Sequence, residues 1–220
     1  MDLVQFAAGK TLNSSAVFLI VTVLLLAAAR RVSTSIILFA LQSAIITAQV
    51  MATAYTEKSA EAWGVAAMVF VLKVVTIPSA LLWLVKRLKT PRAIQPSISS
   101  AKAVFVVVLM IFLAYAAAQP FARESRVPEG ILAAAISLIL TGAFLMVSQR
   151  KALMQIVGLL VLENGIFLAA LATTFGMPLV IEIGVFFDLL IGILIMGIFA
   201  FRIRDTFEHL DVTKLRRLRG

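Results

Sequence analysis

The chain is predicted to be an all-α integral membrane protein of about seven transmembrane helices, forming a single membrane domain over residues 1–220. Hydrophobic residues make up 62% of the 220 positions and charged residues only 14%. With a mean hydropathy of +1.06, that balance leaves no room for a soluble domain. Apolar segments recur near residues 12–29, 32–54, 62–85, 101–119, 129–148, 152–174 and 178–201, each close to the roughly 20 residues a helix needs to span a bilayer. Cations gather at the segment ends, alternately dense and sparse.

The first segment follows a leader holding Asp2 and a single cation, Lys10, and is followed directly by Arg30 and Arg31. It therefore reads as a helix rather than a signal peptide. The second carries Ser35, Gln42 and Gln49 at every seventh position, one face of a helix, suited to ordering water or to packing neighbouring helices. The third holds Lys73 and, five residues on, Pro78, whose ring is incompatible with the normal hydrogen bond to the Val74 carbonyl. A kink and a free carbonyl are expected beside the ammonium, with Thr76 and Ser79 to help hydrate it.

The stretch from Lys86 to Lys102, with Pro91, Pro96 and several serines, is the one plausible hinge. It sets helices 1 to 3 (1–90) apart from a loop and connecting fourth helix (91–128), a three-helix unit (129–201) and a tail (202–220). Helices 1 to 3 and 5 to 7 run in the same directions and share a basic pair after their first helix, Arg30-Arg31 and Arg150-Lys151. This is either a parallel 3+1+3 repeat or the common behaviour of two three-helix units in one orientation. Fifteen Lys and Arg fall on one side against four on the other, with Lys73 the twentieth. The positive-inside rule then puts the N-terminus outside and the C-terminus in the cytoplasm.

The formal charge of +9 belongs to these segment ends and does not form the aromatic-laced patch of a nucleic-acid binder. There is no Cys, and the only His, His209, lies in the tail. The chain therefore offers no thiolates for an iron–sulfur cluster and no imidazoles for a buried haem, and no cofactor or metal is assigned to it. Phosphate loops, nucleophile elbows and zinc spacings are also missing.

Chemistry is expected where charge meets hydrocarbon. Lys73, Glu163 and Asp188 each fall within about 3 Å of the midpoint of a separate segment, at about 1.5 Å rise per residue. Each costs roughly 2.5–3.5 kcal/mol to insert at a helix centre, about 8–10 kcal/mol together, unless paired or hydrated. Glu163 sits beside Asn164 and between Gly158 and Gly165, so its carboxyl should face protein rather than lipid. With few charged neighbours it is a candidate to hold and release a proton, the plainer reading being interhelical glue. On the seventh segment Asp188 is at the midplane, whereas Glu182 lies near the outer boundary, where an ordinary exposed carboxylate competes with a proton port. Lys73 is read either as an electrostatic partner in proton transfer or as a structural counter-charge.

The run Gly158-Leu-Leu-Val-Leu-Glu163-Asn164, then Phe187-Asp188-Leu-Leu-Ile-Gly192 and the basic tail from Leu210 to Gly220, resembles the family of E-type membrane subunits of hydrogenase-4 over the whole chain. Members of that family belong to group 4 nickel–iron hydrogenase and formate hydrogenlyase-type complexes. Residues 129–220 are also similar to the K-type subunit of complex I and the C-type subunit of Mrp antiporters. In the K-type pattern the first glutamate falls at Leu160 and the second at Asp188. Glu163 stands one turn after Leu160 on nearly the same face.

The resemblance implies a non-redox subunit of a complex I-like hydrogenase in a bacterial or archaeal cytoplasmic membrane. It would lie between antiporter-like subunits and the hydrogenase membrane anchor and hydrophilic arm, with the nickel–iron centre and iron–sulfur clusters held by those partners. Glu163, Asp188 and Lys73 would then serve lateral proton transfer, with Glu182, Asn164, Gln42 and Gln49 along the path. The alternative is a free-standing seven-helix transporter for a small solute or cation.

Overall fold

A chain in hydrocarbon must satisfy its own backbone N–H and C=O groups, which an α-helix does within one segment. The computed structural model describes residues 3–57, 60–87, 98–124, 127–174 and Gly192, and among these it contains helices and no strand. The elements are α1 (Leu3–Ala28), α2 (Val32–Glu57), α3 (Ala60–Val69), a π-helical stretch (Phe70–Thr76), α4 (Ile77–Arg87), α5 (Ser100–Glu124), α6 (Glu129–Ser148) and α7 (Ala152–Thr174). Six of the seven expected segments are therefore helical. The third comprises α3, the π stretch and α4, and the sixth is α7.

Among the described residues, five spans are long and apolar enough to cross a membrane: Val32–Ala52, Trp63–Arg87, Ser100–Arg123, Glu129–Ser148 and Ala152–Thr173. Within α1, Ser15–Ala28 is a shorter apolar helix. The protein is a multi-pass membrane protein. Apart from Gly192, the seventh segment with Glu182 and Asp188, the basic tail, and the expected hinge around Pro91 and Pro96 lie outside the described residues.

α2 is central, packing against α1, α3, the π stretch, α4 and α7, while α6 packs against α1, α5 and α7. Helices α1, α2, α7 and α6 thus form a closed ring of neighbours. Leu19, Ile36, Phe39, Ile46, Leu138 and Leu160 are buried among them. α5 lies outside the ring against α1 and α6, and its Phe105, Leu109 and Phe112 remain exposed, one stripe at helical spacing facing outward.

The tightest contact, between α6 and α7, rests on three glycines. A Cβ at Gly142 would lie 2.5 Å from the Leu162 amide nitrogen and 2.6 Å from the Gly158 carbonyl oxygen. One at Gly165 would lie 2.7 Å from the Ala135 oxygen and the Ile139 nitrogen. The obstacles are backbone atoms, which cannot swing aside as a flexible side chain would. Small residues let helix backbones meet in this way in lipid, and the contact fixes the depth and rotation of α7. Gly64 on α3 has nothing within 4 Å of its added Cβ. Gly142→Ala and Gly165→Ala are each expected to destabilise the protein by about 1–3 kcal/mol through overpacking, and Gly64→Ala to be neutral or stabilising by up to about 1 kcal/mol. Unfolding curves in mild detergent measure all three.

Candidate functional site

The depth of the site can be read along one span. Trp63 and Trp83, the two tryptophans of the chain, stand 46% and 51% exposed near the two ends of Trp63–Arg87. Arg87 lies over the Trp83 ring at 5.7 Å. Tryptophans favour the membrane interfaces. At about 1.5 Å per residue the pair marks out about 30 Å, the thickness of the hydrocarbon core. Lys73 is midway between them in sequence and is 2% exposed.

Lys73 occupies the middle of the π stretch. Pro78 has no N–H, and in an α ladder its ring would strike the carbonyl four residues earlier. Here the turns widen just ahead of it: the Ile77 N–H donates to the Leu72 carbonyl, five residues back, and Thr76 Oγ1 donates to the Val71 carbonyl at 2.8 Å. Val69 and Ile77, at φ/ψ of −59°/−43° and −63°/−50°, keep the helical path on either side. Thr76 and Ser79, expected to hydrate Lys73, are instead exposed. The widened turn rotates Thr76 off the face it would share with Lys73 in an α-helix.

Across the bundle, Lys73 Nζ donates to Glu163 Oε1 at 2.8 Å, with the two side chains 2% and 6% exposed. Such a charge-assisted bond is strong, and stronger still away from water. The Phe167 ring, one turn beyond Glu163 on α7, has its centroid 5.3 Å from the same nitrogen. The expectation that Glu163 has few charged neighbours is therefore corrected: π-stretch and α7 packing around α2 bring the lysine directly to it. Glu163 faces protein as expected, in the segment that Gly158 and Gly165 seat against α6.

The carboxylate is asymmetric. Oε1 holds the ammonium, whereas Oε2 is buried with no hydrogen-bond partner among the described residues. The neighbouring Asn164 donates from Nδ2 to Ser43 Oγ on α2 at 3.0 Å, and its Oδ1 has no partner among them. Gln42 on α2 is fully buried with neither amide atom matched among the described residues, and the same holds for Thr141 Oγ1 on α6. Gln49 Nε2 donates to Ser15 Oγ on α1 at 2.6 Å, and Ser35 Oγ donates to the Arg31 carbonyl at 3.3 Å. The predicted α2 stripe is thus buried throughout, with its Gln49 end closing onto α1.

Sequence reasoning missed Ser43, Thr141 and Phe167. Ser43 directly follows Gln42, and Phe167 follows Glu163 at the i+4 spacing, but neither signal distinguishes a partner from ordinary packing. Among the described residues no group of three or more His, Cys, Asp or Glu could hold a metal ion.

A buried ion pair at the centre of a multi-pass helical bundle defines a membrane protein with a charged midplane. The chain is a homologue of hydrogenase-4 component E: it is 29% identical to the proteins of that name from Escherichia coli K12 and Shigella flexneri over 164 residues, 72% of this chain and 73% of theirs. It is also 32% identical over 129 residues to an uncharacterized protein of Mycobacterium tuberculosis, a match covering 58% of this chain and 59% of that protein. No family model and no solved structure matches.

Lys73→Met alone would leave a buried carboxylate without its cation, an expected loss of about 3–5 kcal/mol. Adding Glu163→Gln should restore most of that loss. Unfolding of the single and double variants in bicelles measures the coupling, and strictly additive losses would refute it.

Proposed function

We propose that this chain is a non-redox membrane subunit of a complex I-like hydrogenase complex, in which buried charge at the bilayer midplane couples electron transfer in partner subunits to ion translocation. The single observation carrying the reading is Glu163: one carboxylate oxygen is held by Lys73 and the other has no partner among the described residues, at the depth where an ionisable group defaults to function. The homology to hydrogenase-4 component E supports the kind of complex.

In this reading a proton is taken up at Glu163 Oε2, while Lys73 at Oε1 sets how readily it is held. Asp188 is the next station, with Glu182 toward the outer boundary. Gln42, Thr141 and Asn164 Oδ1 are polar atoms that bridging water would satisfy, and with Gln49 they form the hydrated part of the route. Water-linked amides and hydroxyls relay protons without themselves changing charge. The chain supplies charge transfer and no redox centre; the nickel–iron site and iron–sulfur clusters belong to the hydrogenase arm. Antiporter-like subunits and the membrane anchor flank it in a bacterial or archaeal cytoplasmic membrane, with the C-terminus cytoplasmic.

A scaffold role alone fits less well. Interhelical hydrogen bonds in membranes contribute on the order of 0.6 kcal/mol each, against roughly 2.5–3.5 kcal/mol to insert each charge. Purification of the tagged protein in mild detergent should bring antiporter-like and iron–sulfur subunits with it. In vesicles, Glu163→Gln is expected to reduce proton translocation at least tenfold, an effect of about 1.4 kcal/mol or more, while sparing electron transfer to artificial acceptors. Unchanged translocation would remove Glu163 from the route.

A further inference from the structure

The Lys73 ammonium has two described neighbours on α7. Glu163 Oε1 is 2.8 Å from Nζ, the Phe167 ring centroid is 5.3 Å away, and residues 163 and 167 lie one turn apart on one face. Phe167 is 3% exposed, so the cation meets the ring out of water, where attraction to an aromatic face is greatest. Lys73 and Glu163 are the ionisable side chains at this depth among the described residues.

Proton uptake by Glu163 creates a problem of charge. The pair is neutral overall while the carboxylate is ionised and carries one positive charge once Oε2 is protonated. Lys73 then loses the attraction of that partner at the depth where a cation is most costly. We infer that Phe167 is a second seat for the Lys73 ammonium, a positioning residue that holds the cation on its ring face while Glu163 is protonated. No proton moves on or off the ammonium, and among the described residues the bond exchanged is the hydrogen bond from Nζ to Oε1.

The ammonium already lies 5.3 Å from the ring centroid while bonded to Oε1, so the change of seat is a short movement for a flexible four-carbon stem. When the proton leaves Oε2, the restored negative charge draws the ammonium back. The ring is suited to this because it attracts a cation without offering a proton or accepting one. A carboxylate or hydroxyl in its place would compete for the carried proton.

This inference rests on Glu163 as the proton carrier, and its test reads structure rather than translocation. Native-membrane vesicles holding the full chain, with ¹⁵N at lysine Nζ and ¹³C in phenylalanine rings and glutamate carboxyls, give the Nζ-to-ring and Nζ-to-carboxyl contacts by solid-state NMR. The Phe167 signal is assigned by its loss in Phe167→Leu. Glu163→Gln, which imitates the protonated carboxyl, is expected to strengthen the ring contact severalfold. Pentafluorophenylalanine at position 167 nearly preserves ring shape but reverses the charge on its face, so it should abolish that gain.

The chain with native Glu163 provides a measurement independent of that substitution. There, the same fluorination, followed by ¹⁹F–¹⁵N contacts, should weaken ring contact and leave the Nζ-to-carboxyl contact intact. An ammonium off the ring in Glu163→Gln, or a contact indifferent to fluorination, overturns the seat even if translocation depends on Glu163. A fluorination-sensitive ring contact together with translocation indifferent to Glu163→Gln upholds the seat and overturns the carrier.

Discussion

The Lys73–Glu163 bond constrains the rest of the bundle because each charge at that depth must be held by a partner. Both side chains are almost fully enclosed, and an ion in hydrocarbon must be paired, hydrated or neutralised. A bond of 2.8 Å tolerates little relative movement of the helices carrying its two ends. The backbone contacts at Gly142, Gly158 and Gly165 meet this demand by locking α7 to α6. α2 supplies the second restraint, touching both the π stretch and α7 and tying Ser43 to Asn164 beside the glutamate.

Proline chemistry sets the other half of the geometry. Pro78 cannot enter an unbroken α ladder, and the chain answers with a wider turn upstream rather than a broken helix. A π turn accommodates one extra residue, rotating the residues before it by about 100° relative to those after it. This sends Lys73 toward α7 while leaving Thr76 and Ser79 on the outer surface. The same adjustment keeps Thr76 Oγ1 engaged with a backbone carbonyl, so the distorted turn carries its own compensation in a solvent without water.

Depth was legible in the sequence and azimuth was not. Hydropathy placed the α6 and α7 segments at 129–148 and 152–174, matching Glu129–Ser148 and Ala152–Thr174. Counting along segments put Lys73 and Glu163 at one level. The start of α1 was missed because the largely polar run from Gly9 to Ser15, with Lys10 and Asn13, interrupts the hydrophobic signal without ending the helix. Helix rotation depends on which small residues meet, and Gly142 or Ser43 looks the same in sequence whether it faces a partner or lipid. The Lys73–Glu163 contact spans 90 residues, and nothing local encodes it.

The distribution of hydrogen bonds around Glu163 argues against a purely structural charge. A site built for stability would satisfy both carboxylate oxygens, since a buried acceptor without a donor costs on the order of 1–3 kcal/mol or more. The nearest amide in sequence, Asn164, has the donors to do so, yet its Nδ2 is committed to Ser43. Oε2 is left open. The unmatched oxygen is the one that the proposed reading assigns to the proton, while the opposite oxygen holds the Lys73 ammonium. Rigid packing on one side of the glutamate and an acceptor unmatched among the described residues on the other are what a group needs if it is to change its charge without moving its helix.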